Sequence, residues 1–137
     1  MRICLVKILL TCTLAATLTS CAAQDARQMY AKASALTKLS AAVEATVLYK
    51  DPSPALTDNE LLRLSTVGDS ALFQEFNSFS LRVRKASNAV IVLVCNLDGT
   101  VALLEDASCT AKLDQHHWRD SASAQCEFTL NAAETCP

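Results

Sequence analysis

A run of seven apolar residues, Ala89–Cys95, constrains the fold of this chain more than any other feature of the sequence. Every position in the run is apolar and most are β-branched, which is typical of a strand buried on both faces. The run therefore predicts the central strand of a sheet. A chain of 137 residues has room for one modest core, so we expect a single folded domain around that strand.

Three further segments predict strands beside the central one. Residues 79–85 alternate between apolar and polar side chains, a period of two that favours a strand with one wet face. The pair Asp98-Gly99 is a strong hairpin signal, which predicts that residues 100–106 return antiparallel to the central strand. Alternation at residues 126–130 predicts a fourth strand.

The N-terminal half predicts helices. Residues 22–50 lack glycine and proline and are rich in helix formers, and Asp51-Pro52 should end this helix. Thr57 and Glu60 have the spacing of a capping box, which predicts a short second helix, with Gly68 placed to end it. The predicted class is α+β, with N-terminal helices packed on an antiparallel β-sheet of about four strands.

One stripe of the first helix is apolar and should face the sheet. The alternative is that this stripe binds a partner helix, as a coiled-coil seam does. The stripe contains Met29, Ala33, Leu36, Val43 and Val47.

The first 20 residues have the features of a secretory signal. Arg2 and Lys7 supply positive charge, and residues 8–18 form an apolar stretch that is too short to span a bilayer. The segment ends in Leu18-Thr19-Ser20-Cys21, which resembles the lipobox of bacterial lipoproteins. The resemblance covers these four residues and the signal before them.

The lipobox resemblance implies a lipid anchor. In that family a peptidase cuts before the cysteine, whose sulfur carries a diacylglyceryl group and whose new amine is acylated, commonly with palmitate. Cys21 would then be the first residue of a mature domain spanning 21–137, and several acyl chains would hold it durably in a membrane. Ala22, where retention in the inner membrane typically uses aspartate, implies the outer membrane, with the domain on the periplasmic face or at the surface. The alternative is an ordinary signal cut near Ala22 or Ala23 that leaves no lipid.

Four cysteines remain after the signal and Cys21 are set aside, and an oxidising compartment favours two disulfides among them. No C-x-x-C spacing points to a zinc or redox site. Three pairings exist in principle, and a meander of four strands favours Cys109–Cys126 with Cys95–Cys136. The four cysteines are Cys95, Cys109, Cys126 and Cys136.

Composition excludes several classes of function. The chain has only two glycines, Gly68 and Gly99, so it cannot form a glycine-rich phosphate loop. No basic run is longer than Arg84-Lys85 and aromatic residues make up 5% of the chain, so we expect no nucleic-acid partner. Without Arg2 and Lys7 the mature chain carries 10 basic and 14 acidic residues, a net charge of −4, which does not favour binding to a lipid surface through charge.

Two polar groups are candidates for chemistry. His116, His117, Trp118 and Arg119 follow one another, and a loop packed around Trp118 or a protein interface explains them better than a metal or catalytic site. Glu105-Asp106 should lie at a solvated strand end, with the two side chains pointing apart. We therefore expect no enzyme activity, cofactor or metal.

The sequence predicts a lipid-anchored envelope protein that acts as a protein-binding, inhibitory or immunity module. Its expected partner is a secreted hydrolase, a toxin or an envelope component. The alternative is a structural or assembly accessory of an envelope complex, with residues 22–50 docked on a partner.

Overall fold

The computed structural model describes residues 3–86, 89–109 and 125–136, with side chains from Arg27 onward. The chain divides into two compact units, Met1–Ala31 and Lys32–Pro137. The first helix, α1 (Ile3–Lys50), passes through that boundary, and every other element belongs to the second unit. The division into a signal at 1–20 and a domain at 21–137 stays a prediction.

Helix α1 ends where the sequence predicts. Its last residue is Lys50, and Asp51 then adopts a left-handed backbone (φ 44°) before Pro52. The helix begins at Ile3, well before the predicted start at residue 22, so the residues ahead of that start continue the same helix. Of the predicted apolar stripe, the three central residues are buried and Met29 and Val47 are half-buried. The buried residues of α1 also include Leu39, Ser40 and Thr46.

Two short helices follow, α2 (Asp58–Ser65) and α3 (Ser70–Gln74). The capping box that starts α2 is confirmed: the backbone N–H of Glu60 donates to the Thr57 hydroxyl, and the Glu60 carboxylate accepts from the Thr57 N–H at 2.8 Å. The predicted end at Gly68 is wrong. The helix stops three residues earlier at Ser65, because its C-cap Thr66 leaves the helical backbone conformation (φ −110°, ψ 17°) and its hydroxyl occupies the Leu62 carbonyl.

The α+β class is confirmed, and the described sheet has three antiparallel strands in the order β1-β2-β3. They are β1 (Ser80–Lys85), β2 (Val90–Cys95) and β3 (Ala102–Ala107). All six residues of β2 are buried, as expected for the central strand. Gly99 has φ 67° in the turn between β2 and β3, the conformation that glycine adopts most readily.

The two faces of the sheet have different cover. On the helix face, Val92 and Val94 of β2 align with Asp106 and Leu104 of β3, and α1 packs there. On the opposite face lie Ile91 and Leu93, in line with Arg84 and Arg82 of β1 and with Ala107 and Glu105 of β3. The C-terminal segment Gln125–Cys136, here called the strap, covers this second face.

The fourth strand predicted at 126–130 does not form. Gln125 makes an isolated bridge with Val101, and the chain then crosses the face of the sheet instead of extending its edge. Two arginines of β1 hold this segment over the sheet. Arg82 donates to the carbonyl of Cys126 at 2.8 Å, and Arg84 donates to the carbonyl of Leu130. The alternation at 126–130 is real, but it arises because Phe128 and Leu130 pack on the apolar face.

The four predicted cysteines form two disulfides, as expected, but the pairs are Cys95–Cys126 and Cys109–Cys136, each with Cα atoms 5.7 Å apart. The predicted pairing is wrong because it depended on the fourth strand. After the antiparallel bridge at Gln125, the strap begins beside Cys95, where β2 finishes, passes Glu105 at Thr129 and reaches Ala107 at Ala132. Its last helix, α4 (Ala132–Thr135), therefore brings Cys136 to the end where β3 finishes, next to Cys109.

Candidate functional site

Two consecutive carboxylates on β3 are buried. Glu105 has 0% and Asp106 1% of its surface exposed, so the expected solvated strand end is wrong. Strand β3 continues to Ala107, and cover on both faces of the sheet buries both side chains. They point to opposite faces, as expected for neighbours on a strand, and so do not form an acid and base pair.

Glu105 fixes the strap to the sheet. Its carboxylate accepts from the backbone N–H of Leu130 at 3.0 Å, from that of Thr129 at 3.0 Å, and from the Thr129 hydroxyl at 2.9 Å. These donors face the sheet because the strap crosses it, so a side chain satisfies them in place of a neighbouring strand. Glu105 therefore has a structural role.

Asp106 fixes α1 to the helix face. Its carboxylate accepts from the hydroxyl of Ser40 and from that of Thr37, the latter at 3.4 Å. Burial raises the pKa of Asp106 to about 6, against the smaller opposing effect of the two hydroxyl hydrogen bonds. At neutral pH Asp106 is thus a buried carboxylate, and its burial costs more free energy than the burial of a protonated carboxyl or a neutral side chain would.

Asp106 should make the folded state less stable as the pH rises from about 4 to about 6. The ordinary pKa is 3.8 and the folded value about 6, so in this window the folded chain keeps a proton that the unfolded chain has lost. Asp106→Asn should therefore be more stable than the original protein at pH 7 by roughly 2–3 kcal/mol, with most of that gain absent near pH 3.5. Urea unfolding at both pH values measures the difference.

The control for this prediction is Asp98→Asn, which removes the same charge from the exposed hairpin turn. Its effect on the free energy of unfolding should be small and nearly equal at the two pH values. An equal gain for Asp106→Asn at pH 3.5 and pH 7 would contradict the prediction.

The predicted interface residues His116, His117, Trp118 and Arg119 lie outside the described residues, as does the side chain of Cys21. Their roles stay predictions. The structure describes the chain up to Cys109 and again from Gln125. Cys109 is bonded to Cys136, and Cys126, the second of the residues described again, is bonded to Cys95.

The sequence did not lead us to predict a groove that lies between α2 and α3. It consists of two clefts of about 300 and 230 Å³ that share Arg63, Phe73 and Asn77, and we call it the Arg63 groove. The Arg63 guanidinium lies over the Phe73 ring, with its central carbon 5.6 Å from the ring centroid. One signal was available: Leu61 and Leu62 are the apolar pair of α2, which places Arg63 on the outer face of that helix.

A third cleft, of about 310 Å³, lies between β1 and the strap. Arg84 forms one wall, with its guanidinium 4.6 Å from the centroid of the Phe128 ring and bonded to the Leu130 carbonyl. Through these two contacts Arg84 holds the strap against β1.

These features define a small α+β domain whose sheet is covered by helices on one face and by a doubly disulfide-bonded strap on the other. Comparison with protein-family models, with curated proteins and with solved structures found no match to this chain. Within the described ranges, no helix is both long and apolar enough to cross a membrane. No three His, Cys, Asp or Glu side chains of that same part of the chain are grouped so that they could hold a metal ion.

Proposed function

We propose that this chain is a bacterial envelope lipoprotein, anchored through Cys21 in the outer membrane, that binds another protein without turnover. The observation that carries the anchor is the sequence Leu18-Thr19-Ser20-Cys21 after a charged and apolar signal. A diacylated or triacylated cysteine gives stable membrane attachment, whereas a mature net charge of −4 would not.

Rigidity supports the binding role. Two disulfides and the buried Glu105 fix the strap, and Asp106 fixes α1, so these described elements are held in place before any partner arrives. A preordered surface loses less conformational entropy on association, which favours tight inhibitors and immunity proteins. The partner we propose is a secreted hydrolase or a toxin, with Trp118 and Arg119 at the interface.

The anchor is tested by intact-mass spectrometry of the full chain recovered from bacterial membranes. We expect a chain that begins at Cys21 and carries a mass increment of diacylglyceryl plus an acyl group. A chain that begins at Ala22 or later, or an unmodified Cys21, would refute it. Cys21→Ser is the control, and it should leave the signal uncut and the lipid absent.

Protein binding is tested by crosslinking and recovery of the oxidised, membrane-anchored chain with a C-terminal tag. A secreted hydrolase or toxin recovered with the original protein, and lost with Trp118→Ala plus Arg119→Ala, is the expected result. A loss of about tenfold or more would fit truncation of interface hot spots. Recovery that is unchanged in this double variant would reject the proposed interface.

An accessory role in an envelope complex is the second candidate. It is favoured by the end of α1, where Leu48 and Tyr49 are 62% and 85% exposed. Exposed apolar side chains at a helix end suit docking on a partner. In the same recovery experiment, the accessory role predicts that a multi-subunit complex is recovered with the original chain and lost with Leu48→Ser plus Tyr49→Ser. Binding of a hydrolase or toxin predicts that this double variant recovers the same partner as the original chain.

A further inference from the structure

The Arg63 groove combines polar and aromatic groups at one place on the surface. In its larger cleft, Gln74 lies beside Arg63 and Phe73, and the 76%-exposed Val67 forms part of the lining. In its smaller cleft, Asn59 and the ring of Phe79 complete the lining. The groove thus combines three amide side chains with an arginine and aromatic rings, and the last two residue types are enriched at protein interfaces.

Arg63 forms no ion pair with another residue in the described part of the chain. Three neighbouring carboxylates have other donors: Asp58 accepts from the Val83 N–H at 3.0 Å, Glu60 from Thr57, and Glu75 lies 3.9 Å from the ammonium of Lys32. Among the described residues, the Lys32–Glu75 contact is the one ion pair that forms. The guanidinium of Arg63 therefore presents its N–H donors to the groove and to solvent.

The walls of the groove are held in place by tertiary contacts. The Lys32 ammonium donates to the Glu75 carbonyl at 2.8 Å and lies 4.9 Å from the Phe79 ring centroid, which ties α1 to the end of α3 and the start of β1. Phe76 is 1% exposed and packs edge-on against Phe79 at 6.4 Å. Phe76 thus belongs to the buried core, whereas Phe79 and Phe73 are half-buried and keep part of each ring at the surface of the groove.

We propose that the Arg63 groove binds an acidic segment of a partner protein, with an Asp or Glu side chain of that segment paired to Arg63. A guanidinium binds a carboxylate through two parallel N–H donors, and the cation–π contact with Phe73 keeps the guanidinium of Arg63 over the groove. The amides of Asn59, Gln74 and Asn77 supply donors and acceptors for an extended backbone. This proposal rests on the proposed protein-binding function and names a surface for it in the described part of the chain.

The test uses the full oxidised chain in detergent and an array of short peptides. Each Asp- or Glu-containing peptide is paired with its Asn or Gln counterpart. We expect the acidic members to bind more tightly, and Arg63→Gln to weaken that binding about tenfold, the loss expected for a hydrogen-bonded charge pair. Arg63→Lys should recover only part of the affinity, because an ammonium lacks the planar fork.

The matched control is Lys85→Gln, which removes one positive charge from an exposed residue of β1 that lines neither cleft of the groove. It should leave peptide binding unchanged. The proposal is overturned if no acidic peptide binds, if the amide counterparts bind equally well, or if Arg63→Gln and Lys85→Gln have the same effect.

The recovery experiment separates this proposal from the proposed function. If a partner is recovered equally well by the original chain and by Arg63→Gln, protein binding stands and the groove is not its site. If the original chain recovers no partner while acidic peptides still bind through Arg63, the groove stands and the proposed function fails.

Discussion

Glu105→Ala should destabilise the folded domain by about 2–4 kcal/mol, because it removes the buried carboxylate that accepts from two part-buried backbone N–H groups and one hydroxyl of the strap. Glu105→Gln should destabilise the domain less than Glu105→Ala, because the amide oxygen still accepts hydrogen bonds. Some loss should remain, because the NH₂ group is a donor placed among other donors. Urea unfolding of the oxidised chain, followed by far-UV circular dichroism, measures both values.

Glu127→Ala is the control for this prediction. It removes a carboxylate of the same type from an exposed position on the strap, and it should change the free energy of unfolding by less than about 0.5 kcal/mol. Equal effects at the two positions would show that the buried contacts of Glu105 contribute nothing to stability.

Removal of the Cys95–Cys126 disulfide, by replacing both cysteines with alanine, should cost about 3–4 kcal/mol. The bond closes a separation of 31 residues, and the entropy of the unfolded chain rises when that closure is lost. The Cys109–Cys136 bond, with a separation of 27, should contribute a similar amount. Each double variant should keep the strap attached at its other end, so both should still fold.

The pairing itself is checked by peptide mapping of the denatured, thiol-blocked chain. Trypsin alone leaves Cys95 and Cys109 on one fragment and Cys126 and Cys136 on another. A second protease that cuts after glutamate separates them, at Glu105 in the first fragment and at Glu127 and Glu134 in the second. The expected products join fragment 86–105 to fragment 120–127, and fragment 106–112 to the C-terminal fragment. A product that joins 86–105 to the C-terminal fragment would contradict the pairing described here.

Local signals predicted the elements of this fold because each of them acts over a few residues. The capping box at Thr57 and Glu60, the stop at Asp51-Pro52, the turn at Gly99 and the apolar run of β2 all work through contacts between neighbours in the chain. The strap shows where such signals fail. Apolar and polar residues alternate in the strap in a way that fits a strand at the edge of the sheet and fits equally a segment that crosses its face.

The candidate site was less predictable than the fold. Arg63 and Phe73 belong to different helices, and only the packing of α2 and α3 brings them to one groove. Glu105 and Asp106 are charged residues for which solvent exposure is the ordinary expectation, and the cover on each face of the sheet decided otherwise.

The sequence by itself determined the α+β class, the bounds of most elements and the presence of two disulfides, since composition, periodicity and turn residues specify local structure. The tertiary structure decided the direction of the strap, and through it the partner of each cysteine and the burial of Glu105. Distances between residues remote in the chain depend on which face each segment covers, and that choice follows from the packing of the whole domain.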